Sequence, residues 1–272
     1  MTDTMSDALA SSPVEGTVVE SPPRAAPDPS EMPLMDHLGE LRTRLIRSAL
    51  WLLLAGSFAL WQWEAIYHWL AQPFDVAADA MRAGGHDVGL MNRAPQGRLM
   101  LAFRIGTVGG LVLASPLLLA ELWGFVAPGL TRTERRAIGP IVPVAMVLFV
   151  AGALFARYVL FPPMLHFMLS FGAGLDIEDK IDIATYLPLV LNVMVAMGVA
   201  FEIPVLTFAL VKMGIVTGQR MASWRRGAIV LVAVLAAVIT PTPDPVNMAL
   251  VAVPLYLLYE ISILVAVLAR RR

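Results

Sequence analysis

The sequence predicts an all-α membrane protein with six transmembrane helices and both termini on the cytoplasmic side. Three observations lead there. Hydrophobic residues make up 58% of the 272 and charged residues only 15%, with a mean hydropathy of +0.71; soluble chains hold about 45–50% apolar and about 25% charged residues. The apolar residues gather in blocks long enough to cross a bilayer, which takes about 20 residues. The basic residues cluster in alternate connections between those blocks, as the positive-inside rule requires. The absence of cysteine excludes disulfides, thiolate nucleophiles and Cys-ligated metal sites.

Residues 1–32 differ from the rest. They hold five prolines, six acidic residues and Arg24 as the one basic residue, too little apolar surface to offset the entropy of ordering. The segment reads as a disordered cytoplasmic tail. It lacks the basic start and short apolar core of a secretory signal, so the first span is expected to act as its own insertion signal. Leu34–Arg47 reads as an amphipathic helix leading into that span. Leu34, Leu38, Leu41 and Leu45 form a stripe at helical spacing, Pro33 is acceptable in the first turn, and His37, Glu40 and Arg44 line another face. A structural account of Glu40 is available: an i,i+4 pair with Arg44 on an interfacial helix.

Spans are expected at about 47–69, 99–127, 137–160, 184–212, 226–242 and 245–269, within one membrane domain covering 33–270. The fifth is short for a bilayer and suits a thinned membrane or support from its neighbours. A seventh apolar stretch, Tyr158–Leu175, carries Pro162, Pro163 and His166. Counting it as a span would put the basic cluster at Arg225 outside; with six spans, fourteen of the twenty Lys and Arg fall on the inner side. The stretch is therefore expected to extend span three and cap the outer face.

Between spans two and three, Pro128-Gly129 ends one helix, and Thr131-x-x-Glu134 has capping-box spacing for the next. Glu40 and Glu134 are each a carboxylate at the inner membrane border within an Arg-rich segment. Both therefore suit a basic ligand that presents guanidinium forks, and for Glu134 the cap is the structural alternative. Glu202 has 19 uncharged residues before it and nine after. An ionisable group at that depth costs a few kcal/mol and should face the bundle interior or a wet cavity, unless it is a protonated group bonded to neighbouring helices. Pro204 withholds a backbone donor and is expected to bend the helix beside it. Glu121 and Glu260 lie near inner span ends and can reach the interface, and Arg104 can snorkel outward. Asp244-Pro245 reads as an N-cap followed by proline at the first helical position of span six.

No phosphate-binding G-x-x-x-x-G-K-[ST] loop, H-E-x-x-H or G-x-S-x-G occurs, and the four histidines are dispersed. The chain is read as having no catalytic residues, no metal, no cofactor and no nucleic-acid partner.

Several stretches together resemble the TatC family, the multi-spanning subunit of the twin-arginine protein translocase. They are His37-Leu-x-Glu-Leu-Arg42 before span one, Phe125-x-x-Pro128-x-Leu-x-x-x-Glu134-Arg-Arg136 after span two, and Phe201-Glu202-x-Pro204 in span four. Thr240-Pro-Thr-Pro-Asp244-Pro and Leu258-Tyr-Glu260 around span six complete the set, which runs in order over roughly 33–270. The resemblance implies a concave, glove-like bundle in the bacterial cytoplasmic membrane. It also implies a receptor for Arg-Arg signal peptides of folded proteins, exported at the expense of the proton-motive force. It carries signal-peptide binding onto Glu40, Glu134, Phe125, Pro128 and Arg42. Docking of TatA- and TatB-like single-span partners is carried onto Glu202, Pro204, Thr240 and Asp244, with several copies per complex. Pro73 resembles the family's outer-loop proline. The chain departs from the pattern at Gln96-Gly97, where an acidic residue is more usual, and at Arg104 in place of a lysine. Two alternatives stand beside this reading: an ion-coupled small-molecule transporter using Glu202, and a scaffold for single-span membrane partners.

Overall fold

The computed structural model describes residues 34–85, 88–171, 180–240 and 244–270, so the expected tail 1–32 lies outside the described residues. Twelve helices and two three-residue strands follow in order. They are α1 (Leu34–Trp61), α2 (Trp63–Ala83), β1 (Gly89–Met91), α3 (Gly97–Arg104), α4 (Gly110–Val126), α5 (Arg132–Ile138), α6 (Val142–Phe155) and α7 (Phe161–Ser170). After these come β2 (Lys180–Asp182), α8 (Ile183–Phe201), α9 (Ile203–Lys212), α10 (Gly218–Ser223), α11 (Arg225–Ile239) and α12 (Pro245–Arg270). Wide turns of π type at Ile105–Gly109 and Ala156–Leu160 join α3 to α4 and α6 to α7 without breaking the rods.

Five helical segments among the described residues are long and apolar enough to cross a membrane: His37–Trp61, Gly97–Gly129, Arg132–Ser170, Ile183–Lys212 and Pro245–Ala269. α11 has 15 residues, a rise of about 22 Å at 1.5 Å per residue, less than a hydrocarbon core of about 30 Å. It runs back along α12 as the short fifth segment. The 39 residues of Arg132–Ser170 amount to about 58 Å of helix, far more than one crossing requires. Its last part, α7, packs on α2, as expected of a cap.

The first span departs from expectation. The helix that begins at Leu34 breaks at Gln62, and residues 63–83 form a separate helix, α2. The aromatic and aliphatic residues of Trp61–Leu70, interrupted only by Gln62, Glu64 and His68, hide this break. α2 is held by packing, burying Leu70, Phe74 and Ala78 against α7 and α8. Pro73, expected in a loop, is buried inside α2.

Long-range contacts sort the bundle into two ends. At one end His37 stacks on Phe125 with ring centroids 4.7 Å apart, Arg44 meets Glu121, and α5 touches α9. Tyr259 Oη donates to Met221 O at 2.7 Å, and Arg225 meets Glu260 at this same end. The opposite end holds α2, α7 and a parallel pair, β1 with β2 in register Leu90↔Ile181. The start of α1, the α4–α5 connection, the α9–α11 connection and the end of α12 thus share one end. Glycines allow the closest helix crossings. A Cβ on Gly110 would lie 2.5 Å from Gly56 Cα, and one on Gly152 would lie 2.5 Å from Met197 O.

Candidate functional site

At the basic end, α1 and α4 bring three charged side chains together. Arg44 Nη2 donates to Glu40 Oε1 at 3.2 Å, the i,i+4 pair expected from sequence. Its Nη1 donates to Glu121 Oε2 at 2.9 Å across to α4. Expected only to reach the interface, Glu121 is instead the second anchor of Arg44. Gly124, one turn later, leaves the space for this arrangement, since a methyl there would overlap the Arg44 guanidinium. The three side chains retain 21%, 27% and 13% exposure for Glu40, Arg44 and Glu121. Two carboxylates and one guanidinium leave one excess negative charge. Glu40 Oε2 is buried and has no hydrogen-bond partner among the described residues. Phe125 adds the wall, stacked on His37 at an interplanar angle of 23°. Arg42 is exposed on the same helix and forms no ion pair among the described residues.

Beyond Phe125, Pro128 sits in the 3-10 turn Ala127–Gly129 that ends α4. Thr131 then opens α5 with the capping box expected from its spacing. Glu134 Oε2 accepts from Thr131 N at 2.9 Å and from Thr131 Oγ1 at 2.8 Å, and Glu134 N donates to Thr131 Oγ1 at 3.4 Å. One carboxylate oxygen of Glu134 is thus used by the cap. Among the described residues no hydrogen bond joins Glu134 to Glu40. The structure therefore unites Glu40, Arg44, Glu121, His37 and Phe125, and leaves Glu134 on the neighbouring short helix.

Glu202 stands where α8 gives way to α9. Pro204 cannot offer an N–H to the Ala200 carbonyl, and the helix breaks two residues earlier. Glu202 is 7% exposed, and its Oε1 is buried without a partner among the described residues. Its neighbour Phe201 lies against Phe155, ring centroids 5.5 Å apart. At the far end, Thr240 Oγ1 donates to Ala236 O at 2.8 Å and is buried. Asp244 caps α12 as expected, accepting from Asn247 N at 2.7 Å and from Asn247 Nδ2 at 2.8 Å. Asn247 is fully buried, with its Oδ1 lacking a partner. The residues between Thr240 and Asp244 lie outside the described set.

Two further polar contacts were not foreseen. Arg157, in the turn after α6, is 3% exposed. It donates from Nε and Nη2 to Trp69 O at 3.1 and 2.7 Å, and from Nη2 to Gln72 Oε1 at 2.7 Å. Its guanidinium lies 4.6 Å from the rings of both Trp69 and Tyr158. At the basic end Arg225 forks Glu260 through Nε and Nη2, both at 2.8 Å, and Tyr256 Oη donates to the same carboxylate at 2.8 Å. That hydrogen-bonded carboxylate raises the pKa of Arg225 further above its ordinary value. A groove of 290 Å³ between α2, α4, α6 and α8 is apolar, with Val112, Leu113, Leu191 and Met194 among its lining.

Comparison with known proteins shows the family. The family model described as Sec-independent protein translocase protein (TatC) matches residues 36–254. The chain is 37% identical over 254 residues to a protein of that description from Deinococcus radiodurans, spanning 93% of this chain and 92% of the relative. It is 35% identical over 242 residues to one from Aquifex aeolicus, spanning 89% and 97%. A crystal structure described as the twin-arginine translocase receptor TatC superposes with a TM-score of 0.76 at 35% identity, covering 86% of this chain and 100% of that one. Matched by that family model over residues 36–254 and by relatives 35–37% identical over most of its length, the chain belongs to the TatC family of Sec-independent protein translocase proteins.

Proposed function

We propose that this multi-pass membrane protein is the receptor core of a twin-arginine translocase, a binding and organising subunit and not an enzyme. Its basic end faces the cytoplasm, and it resides in the cytoplasmic membrane of a bacterium. The observation that carries the reading is the Glu40 carboxylate, half paired with Arg44 and buried at Oε2 with no donor. A carboxylate in that condition takes a guanidinium well, because charge-assisted bonds contribute about 1.5–3 kcal/mol and the planar fork matches two oxygens. Phe125 supplies an apolar and aromatic wall beside it, and Pro128 fixes the turn that carries the chain on to Glu134. Glu134 is the second acceptor: its cap uses Oε2, which leaves Oε1 for a second guanidinium. Arg42, exposed on the same helix, completes the proposed binding site.

The apolar part of the signal peptide then inserts along the concave face of the bundle toward Glu202. Glu202 and Pro204 form the docking point of TatA- and TatB-like single-span helices, with Thr240 and Asp244 shaping the far end, and several copies assemble in one complex. Export of the folded cargo draws on the proton-motive force. The transporter alternative has less support, since the groove between α4, α6 and α8 is lined by apolar side chains. The scaffold alternative shares the docking role of Glu202 and differs in having no peptide site.

The deciding experiment is binding of an Arg-Arg signal peptide to the purified protein, with its Lys-Lys version as control. A preference of about tenfold or more for arginine, lost in Glu40→Ala, is expected, since one charge-assisted bond of about 1.5–3 kcal/mol corresponds to at least that factor. Equal binding of the two peptides would refute the receptor reading.

A further inference from the structure

We propose that Glu121 is a positioning residue of the peptide site: it draws Arg44 partly off Glu40, so that Glu40 keeps an oxygen for the incoming arginine. The inference rests on the receptor reading above and adds a residue and a device to it. The geometry has three parts. Arg44 divides its two terminal nitrogens between carboxylates on different helices, and the contact to Glu121 at 2.9 Å is shorter than the contact to Glu40 at 3.2 Å. Gly124, three residues after Glu121, opens the slot in which the guanidinium lies against α4. Glu40 Oε2 remains buried and unpartnered although an arginine stands one helical turn away on the same helix.

Electrostatics explains why the third charge matters. Glu40 and Arg44 at i,i+4, with the acid on the N-terminal side, form a favourable intrahelical pair. Left alone, the two would neutralise each other, and the guanidinium fork would take both carboxylate oxygens. Glu121 changes the local sum from zero to one negative charge and pulls one arm of the fork away. The resident Arg44 and the peptide's arginine then occupy the pair of carboxylates side by side, Arg44 mainly on Glu121 and the peptide on Glu40 Oε2. A ligand of guanidinium chemistry is favoured over an ammonium, because its planar fork of donors suits carboxylate oxygens better than a point charge does.

The test is binding of a fluorescently labelled Arg-Arg signal peptide to the full chain in detergent micelles, with the Lys-Lys peptide as reference. Glu121→Gln is expected to weaken Arg-Arg binding about tenfold, since Arg44 then closes on Glu40. The double variant Arg44→Gln/Glu121→Gln is expected to return to within about threefold of the unaltered protein, because Glu40 is free again. Arg44→Gln alone is expected to bind at least as well as the unaltered protein, and it serves as the second test should Glu121→Gln not fold. Unchanged binding in Glu121→Gln, a double variant as weak as Glu121→Gln, or lost binding in Arg44→Gln would each overturn the proposal. Absence of arginine preference in the unaltered protein would overturn the receptor reading itself.

Discussion

Arg157 and Pro73 should be energetically coupled through one carbonyl. In a helix the Trp69 carbonyl accepts from the N–H four residues on, but that residue is Pro73, which has none. Another donor must take its place, because a buried carbonyl left unpaired is costly. Arg157 does so, with Nε at 3.1 Å and Nη2 at 2.7 Å, and the Trp69 and Tyr158 rings flank its charge at 4.6 Å. Arg157→Leu leaves that carbonyl unpaired, at about 1–3 kcal/mol, and removes two cation–π contacts of about 0.5–2 kcal/mol each. Against this stands the desolvation of a guanidinium that is no longer buried. The net expectation is a loss of about 2–3 kcal/mol in reversible unfolding of the detergent-solubilised protein. Pro73→Ala restores an N–H to the Trp69 carbonyl, so in that background the same Arg157→Leu change should cost about 1–2 kcal/mol less. If the two substitutions simply add, to within about 0.5 kcal/mol, the carbonyl is not what joins them and the reasoning fails.

Three further outcomes are expected. Glu134→Gln keeps an acceptor for the Thr131 cap and should lower Arg-Arg peptide binding with little change in thermal stability, whereas Glu134→Ala should lose both binding and about 1 kcal/mol of cap; calorimetric binding beside a melting curve separates the two. Gly152→Val places a side chain where a Cβ already meets Met197 O at 2.5 Å and Gly198 Cα at 3.0 Å, so α6 and α8 must part, at about 1–3 kcal/mol, read as a lower melting midpoint. Glu202→Ala should yield a folded protein that binds Arg-Arg peptide normally yet no longer co-purifies with single-span partners, and loss of peptide binding in that variant would count against separate sites.

What the sequence disclosed follows from the range of each interaction. The Thr131–Glu134 box and the Asp244–Pro245 cap are closed within three residues, so residue type and spacing are sufficient to read them. Glu40–Arg44 is likewise written into the helical repeat. Glu121 and Arg157 were not legible as structural partners, because their counterparts lie 77 and 88 residues away in the chain, and only the packing of α1 on α4 and of α7 on α2 brings them near. The break at Gln62 was hidden for a different reason. A stretch rich in Trp, Ile and Leu with only Gln62, Glu64 and His68 between them suits the end of a membrane span and a buried amphipathic helix alike, and the choice rests on the partners of Leu70 and Phe74. At Tyr158–Leu175 the described residues continue the helix of span three as far as Ser170.

Polar groups in this molecule divide by whether the fold already uses them, and that division orders the candidate residues. Asp244 and Thr240 are engaged by caps at the far end, so substitution there acts first on helix α12 and on the end of α11. Glu134 is divided, one oxygen to its cap and one left over. Glu40 Oε2 and Glu202 Oε1 are buried atoms that nothing among the described residues bonds. A buried acceptor left unpaired costs about 1–3 kcal/mol, and apolar replacements of similar size would remove that cost at both positions. Retaining an acid at each is therefore a load on the resting protein that a partner's donor would relieve. The two atoms lie on different helices, one at the basic end and one at the α8–α9 break, so a single short ligand cannot satisfy both. A peptide whose arginines meet the first, followed by an apolar helix that leads toward the second, connects them in the order in which the proposed receptor would use them.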